Sequence, residues 1–152
     1  RSVRGGGALG GDGCIYAIPR AADRVLRIDV ANQSVGLFGD QLEAGGEKWK
    51  GGVLGGDGCI YGIPHNADCV LRIDVADQSI SLFGEGLAKG GAKYDGGALG
   101  VDGRIYAPPS NADRVLCIDP AEQTAYTIGP NLADLSENKF IMNMVAAADG
   151  CL

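Results

Sequence analysis

Carboxylates at fixed spacing are the first residues of this chain that could do chemistry. Asp12, Asp57, Asp102 and Asp149 each precede a glycine, while Asp23, Asp68 and Asp113 form a second recurring set and Asp29, Asp74 and Asp119 a third. A ring of such groups could hold Ca²⁺, which needs six to eight oxygen ligands converging on one point. Each set also has an architectural use. Asp before Gly builds a tight hairpin turn, and Asp in a polar turn can accept backbone N–H bonds. The third set closes an apolar run and opens the next turn. Equivalent residues of successive copies converge only near a common axis, so these carboxylates are assigned to turns. No cofactor is expected, and a divalent cation such as calcium finds no ligand motif to support it.

Other chemistry is sparse. His65 is the only histidine, and its equivalents in the neighbouring copies are Arg20 and Ser110. A metal site or a Ser-His-Asp triad would rest on this one residue, so no catalytic group is assigned. The run GGGALGGDG lacks the Lys-Ser/Thr ending and the following helix of a phosphate loop. Five cysteines give an odd number with no C-x-x-C pair. Cys14, Cys59 and Cys151 share one slot of the repeat, which predicts separated free thiols and favours an intracellular reducing compartment.

Bulk properties narrow the partners. The 152 residues carry a net charge of −6, which argues against phosphate-driven nucleic-acid binding, since that requires a basic face. The apolar runs fall far short of the roughly 20 residues of a membrane helix, so no membrane partner is expected. A protein or a small polar ligand remains. The first residue is Arg1, which is read as a processed or truncated start.

The elements that must position these residues come from a repeat. GGDGCIYAIPRAADRVLRID (residues 10–29) returns as GGDGCIYGIPHNADCVLRID (55–74) and as GVDGRIYAPPSNADRVLCID (100–119), and a shorter echo, AAADGCL, ends the chain. The period is about 45 residues, within the range of propeller blades and helical arrays. Helical arrays are excluded by the many glycines and the lack of sustained 3.6-residue apolar periodicity. Four strands fit the second copy: 51–55, 59–64, 69–75 and 79–84. Asp57-Gly58 turns the first into the second, 65–68 the second into the third, and 76–78 the third into the fourth. Leu71, Ile73 and Val75 alternate with Val70, Arg72 and Asp74, and Leu26, Ile28 and Val30 repeat that apolar face, which is expected to pack on the neighbouring blade. Trp49, Tyr94 and Phe140 recur just before the first strand and are expected to wedge between blades.

Four antiparallel strands per copy predict an all-β, β-propeller segment of three four-stranded blades plus the start of a fourth. The boundaries are 1–50, 51–95 and 96–139 for the blades and 140–152 for the fourth. The phrase DG-x-IY-x-IP-x-x-AD-x-VL-x-ID resembles the blade repeats of gluconolactonase/strictosidine-synthase-like and NHL-type propellers. That resemblance implies blades around a channel. It brings over no metal ligands, because no position matches a ligand motif.

Identical positions serve every blade alike, so an asymmetric site must lie where the copies differ. The turn between the second and third strands and the loop between blades are expected on one face. There Arg20 stands against His65 and Ser110, with Asn66 and Asn111 beside the latter two. The loops add Gln41, Glu43, Glu47 and Lys48, then Lys89 and Lys93. The binding surface is therefore expected to include Arg20, His65, Asn66, Ser110, Asn111, Lys48 and Lys93. The expected role is a non-catalytic scaffold binding a protein or a small polar ligand, with a fragment of a metal-dependent lactonase- or hydrolase-like propeller enzyme as the alternative. Three blades cannot close a ring of four to eight, so self-association through open blade edges is also expected, unless the chain is part of a longer propeller.

Overall fold

The computed structural model describes residues 6–136 and 139–140. Within them lie three four-stranded antiparallel sheets, each built from strands consecutive in sequence. Blade 1 contains β1 (Gly7–Leu9), β2 (Ile15–Ala17), β3 (Val25–Asp29) and β4 (Ser34–Phe38). Blade 2 contains β5 (Trp49–Leu54), β6 (Ile60–Pro64), β7 (Val70–Asp74) and β8 (Ser79–Phe83). Blade 3 contains β9 (Ala98–Leu99), β10 (Ile105–Ala107), β11 (Val115–Asp119) and β12 (Thr124–Ile128). These are propeller blades, with every expected strand in place. The fourth copy lies outside the described residues except for Phe140.

Local chemistry explains each turn. In blade 2, Gly58 N–H donates to Gly55 O at 3.1 Å and Gly55 N–H to Cys59 O at 2.8 Å, so the hairpin is a four-residue turn closed by Gly58 at φ 81°. That left-handed conformation suits glycine. Asp57 Oδ1 accepts from Cys59 N–H at 3.1 Å and Oδ2 from the Tyr61 hydroxyl at 2.6 Å. Asp12 makes the same pair of bonds with Cys14 N–H and Tyr16, and Asp102 with Arg104 N–H and Tyr106. A Cβ on Gly55 would stand 2.7 Å from Asp57 Oδ1 and 2.8 Å from the Tyr61 ring, so this position stays glycine. At the next turn, Asp29, Asp74 and Asp119 accept N–H bonds from Asn32, Asp77 and Glu122 respectively. At Asp23, Asp68 and Asp113 the backbone contributes: their carbonyls accept the N–H of Leu42, Leu87 and Leu132.

The core lies between blades. One cluster joins Cys14, Tyr16, Ile18 and Val25 of blade 1 to Trp49, Ile60, Leu71 and Ile73. Another joins Val53, Tyr61, Ile63, Val70 and Phe83 of blade 2 to Tyr94, Ile105, Leu116 and Ile118. Each blade thus has a back face toward the preceding blade and a front face toward the following one. Ile60, Leu71 and Ile73 are wholly buried, and each contributes about 1.5–3 kcal/mol.

The expected packing of the apolar face on a neighbouring blade holds in blade 2 and fails in blade 1. In blade 2 Leu71 and Ile73 form the apolar face and pack on blade 1, while the other face carries buried Val70 beside the half-buried, paired Arg72 and Asp74. In blade 1 the corresponding back face is not covered: Leu26 and Ile28 are half-buried and Val30 is 54% exposed. Trp49 and Tyr94 do wedge between blades, each 2% exposed. Their polar tips bond to backbone, Trp49 Nε1–H to Cys69 O at 2.8 Å and the Tyr94 hydroxyl to Arg114 O at 3.2 Å. Phe140 is 44% exposed.

The innermost strands approach backbone to backbone. A Cβ on Gly51 would stand 3.1 Å from Gly96 Cα, and one on Gly6 would stand 3.1 Å from Gly51 N. Glycine at these positions lets consecutive blades close up around the axis. The four cysteines among the described residues, Cys14, Cys59, Cys69 and Cys117, are buried free thiols.

Candidate functional site

The loop entering each blade is tied to the turn of the blade before it, on the face where the copies differ. Lys48 N–H donates to Arg20 O, and Lys93 N–H to His65 O. The side chains of the same lysines reach inward. Lys48 Nζ donates to Ala22 O at 2.9 Å and Gly45 O at 3.1 Å, and Lys93 Nζ to Ala67 O at 2.7 Å and Gly90 O at 3.3 Å. Lys139 Nζ repeats the first of these contacts on Ala112 O. Lys48 and Lys93 are 8% and 7% exposed, and burial holds both ammonium groups below the usual lysine range. These lysines are repeated loop anchors, a role hidden in sequence because exposed lysine is the ordinary case.

The other expected site residues divide by place. The Asn66 side chain donates to Gly46 O at 3.0 Å and accepts from Ala92 N–H at 2.8 Å, so it stitches two loops together. Ser110 is buried beside the third such loop, where its backbone bonds Lys93 and Lys139. Its hydroxyl has no hydrogen-bond partner among the described residues. Asn111 N–H donates to Ala92 O at 3.3 Å.

Arg20 and His65 come together through residues of the strand entrances. The Arg20 guanidinium donates to Glu47 Oε1 at 2.7 Å. Glu47 Oε2 lies 3.8 Å from His65 Nε2. His65 Nδ1 lies 3.0 Å from both Tyr94 O and Asp95 Oδ1, and Asp95 Oδ1 is 3.0 Å from Lys50 Nζ. Five groups with ionisable side chains, drawn from blades 1 and 2 and the entrance to blade 3, therefore form one line. It is most closed at its middle: the Arg20 and Glu47 side chains are about half exposed and that of Lys50 is 24% exposed, whereas those of Asp95 and His65 are 10% and 6% exposed. Asp95 Oδ1 has ion-pair neighbours but no aligned hydrogen bond.

Every member of this line is a position where the copies disagree. Arg20, His65 and Ser110 share one slot, Glu47 and Ala92 another, Lys50 and Asp95 a third. Lys50 and Asp95 were missed in the sequence because they sit inside the Gly-rich strand entrance, directly after the aromatic wedge. Their opposite charges at equivalent positions were the available signal. Glu47 has φ 47°, but Ala92 in the same slot has φ 46°. The left-handed backbone there belongs to the loop and not to a special site.

The hydrogen-bonding character of the line depends on the His65 tautomer. With its proton on Nδ1, His65 donates to the Tyr94 carbonyl and turns an acceptor nitrogen toward the Glu47 carboxylate. Two acceptors 3.8 Å apart are joined by a donor placed between them, such as an amine or a hydroxyl. No three His, Cys, Asp or Glu side chains among the described residues gather as metal ligands. Farther out, a groove of about 340 Å³ runs beside Lys48 and Trp49, lined by Leu42, Glu43, Asn66 and Lys89. Its equivalent of about 510 Å³ lies one blade on, beside Lys93 and Tyr94.

Comparison with solved structures returns propellers. Virginiamycin B lyase from Staphylococcus aureus matches over 84% of this chain and 42% of its own, at 18% identity and a TM-score of 0.66. A streptogramin B lyase matches over 84% and 41%, at 16% identity and a TM-score of 0.64. The extracellular domain of a hybrid two-component system from B. thetaiotaomicron matches over 94% and 18%, at 13% identity and a TM-score of 0.66. At these identities the likeness is one of fold, and the chain spans less than half the length of each. No protein-family model and no curated protein matches.

Proposed function

We propose that this chain is a non-catalytic propeller segment that binds a small polar ligand on the face carrying Arg20, Glu47 and His65. The observation carrying this reading is the convergence of the differing positions on one line of charges. The slots of Arg20 and Glu47 change residue type from copy to copy, whereas the turn carboxylates Asp12, Asp57 and Asp102 do not. The ligand that fits presents an amine or hydroxyl to Glu47 and the His65 ring, and an anionic or carbonyl group to Arg20. A protein loop offering the same groups would bind in the same way.

A thermal-shift panel of arginine, glutamate, citrate, serine and spermidine tests the reading. At least one compound is expected to raise the melting temperature, and that rise should disappear in Glu47→Ala and shrink in Arg20→Ala. No shift with any compound, or shifts that survive both substitutions, would overturn it. The alternative of a metal-dependent lactonase- or hydrolase-like enzyme draws on the resemblance of the repeat and on the lyases among the similar folds. Lactone or ester hydrolysis that requires Ca²⁺ and stops with chelator would replace the non-catalytic reading.

A further inference from the structure

His65 is the single histidine of the chain, and its ring is held on one side and open on the other. Nδ1 lies 3.0 Å from the Tyr94 carbonyl oxygen and 3.0 Å from Asp95 Oδ1. A carbonyl has no proton to give, and neither has the carboxylate that Lys50 Nζ approaches at 3.0 Å. Facing two acceptors, Nδ1 is therefore the nitrogen that carries the hydrogen in the neutral ring. The proton that comes and goes is the one on Nε2. That nitrogen faces Glu47 Oε2 at 3.8 Å, too far for a hydrogen bond and near enough for an ion pair.

Charged groups reach the ring from several elements. Arg20, from the turn between β2 and β3, holds Glu47 Oε1 at 2.7 Å. Glu47 comes from the loop that enters β5, Lys50 from β5 itself and Asp95 from the entrance to blade 3. Lys48 and Lys93 bond the His65 backbone, but their ammonium groups turn away to the carbonyls of Ala22, Gly45, Ala67 and Gly90. With the ring neutral, the line holds two cations, Arg20 and Lys50, and two anions, Glu47 and Asp95. A proton on Nε2 places a third cation between the two carboxylates. His65 is pinned by its own N–H and carbonyl, whereas the Glu47 side chain is 51% exposed, so Glu47 is the partner free to close the gap.

We infer that His65 is a proton-operated latch on this site. With a proton on Nε2, the ring pairs with the Glu47 carboxylate and takes that acceptor away from an incoming amine. Without it, the Nε2 lone pair and the carboxylate stand open together as an amine-binding pair. Histidine is the residue type suited to such a device, because its charge changes between about pH 5 and 8. The consequence for a ligand rests on the binding reading above, and the pairing of His65 with Glu47 stands apart from it.

Nitrogen NMR of the labelled imidazole tests the latch without assignment, because the chain has one histidine. In the neutral ring, Nδ1 should show the shift of a protonated nitrogen and Nε2 that of a bare one; the reverse would overturn the inference. Glu47→Gln should move the midpoint of the titration to lower pH by about 0.5–1, a loss of proton affinity of about threefold to tenfold, as a half-exposed pair of charges about 4 Å apart implies. Glu47→Ala serves equally if that variant does not fold, since Ala92 occupies the same loop position with the same backbone. Asp77→Asn removes a like charge from the exposed turn at the other end of blade 2 and should leave the midpoint in place. A midpoint unmoved by the Glu47 substitutions, or moved as much by Asp77→Asn, would overturn the latch. Spermidine added to the wild-type protein should also lower the midpoint, because amine and proton compete for one acceptor pair. A midpoint that responds to Glu47→Gln and ignores spermidine would support the latch and count against the amine-binding reading alone.

Discussion

Removing the Asp57 carboxylate should damage blade 2 in a way that a second substitution partly repairs. Tyr61 is wholly buried, and its hydroxyl donates to Asp57 Oδ2 at 2.6 Å. Burial and the neighbouring carboxylate push this phenol well above its ordinary range, so it stays a protonated donor. Arg72, beside it, has only donors and cannot accept that proton. Asp57→Ala therefore leaves an unsatisfied buried hydroxyl, at about 1–3 kcal/mol, and also loses the Cys59 N–H bond, at about 1 kcal/mol. The total is about 2–4 kcal/mol. Tyr61→Phe removes the donor and leaves Asp57 in an exposed turn where water can replace it, so it costs only about 1 kcal/mol. The double variant has no orphaned hydroxyl and should be more stable than Asp57→Ala by about 1–2 kcal/mol. Urea unfolding followed by fluorescence of Trp49 reads this directly, because the single tryptophan is buried at the first junction. With a slope of about 1–3 kcal/mol per molar, the Asp57→Ala midpoint should fall by about 1–2 M, and adding Tyr61→Phe should recover part of that. A double variant no more stable than Asp57→Ala would refute the reasoning, since the cost would then not come from the hydroxyl.

Acid should unfold the protein through its turns. The N–H of Asn32 holds Asp29 below the ordinary 3.8, as that of Asp77 does Asp74, that of Glu122 does Asp119 and the Tyr106 hydroxyl does Asp102. A carboxylate with a lowered folded pKa stabilises above its unfolded value, and that contribution is lost as pH falls through the folded one. The melting temperature should therefore hold steady from neutral pH down to about 5 and drop steeply below about 4, with a shallower drop in Asp74→Asn/Asp119→Asn; an equally steep drop in that variant would count against the turn bonds. Lys93→Met should leave the Ala67 and Gly90 carbonyls without their buried donor at about 1–3 kcal/mol. Amide exchange over residues 86–93 should accelerate more than that over β6, and uniform acceleration would show that the ammonium is not a loop anchor.

Most of the fold was legible because its signals are local. Asp12-Gly13, Asp57-Gly58 and Asp102-Gly103 carry the turn in their own backbone preferences, and alternation such as Leu71, Arg72, Ile73 carries the strand. The period then gave the number of blades. The proposed binding face was half legible. Attention to positions where copies differ picked out Arg20 and His65 of the charged line, but it passed over Lys50 and Asp95 inside a strand entrance. Lys48 and Lys93 were legible as residues and not as anchors, because nothing in a sequence says which carbonyls a lysine will find.

The sequence by itself determined strands, turns and their repetition, since each depends on residues a few positions apart. Only the tertiary structure decided which faces are covered, and which charges meet. His65 and Asp95 are 30 residues apart and touch because blade 3 begins where blade 2 turns. Ile28 and Ile73 are the same residue in the same phrase, yet one is half-buried and the other fully buried. The difference is the neighbouring blade, because burial belongs to the pair of surfaces and not to either one alone.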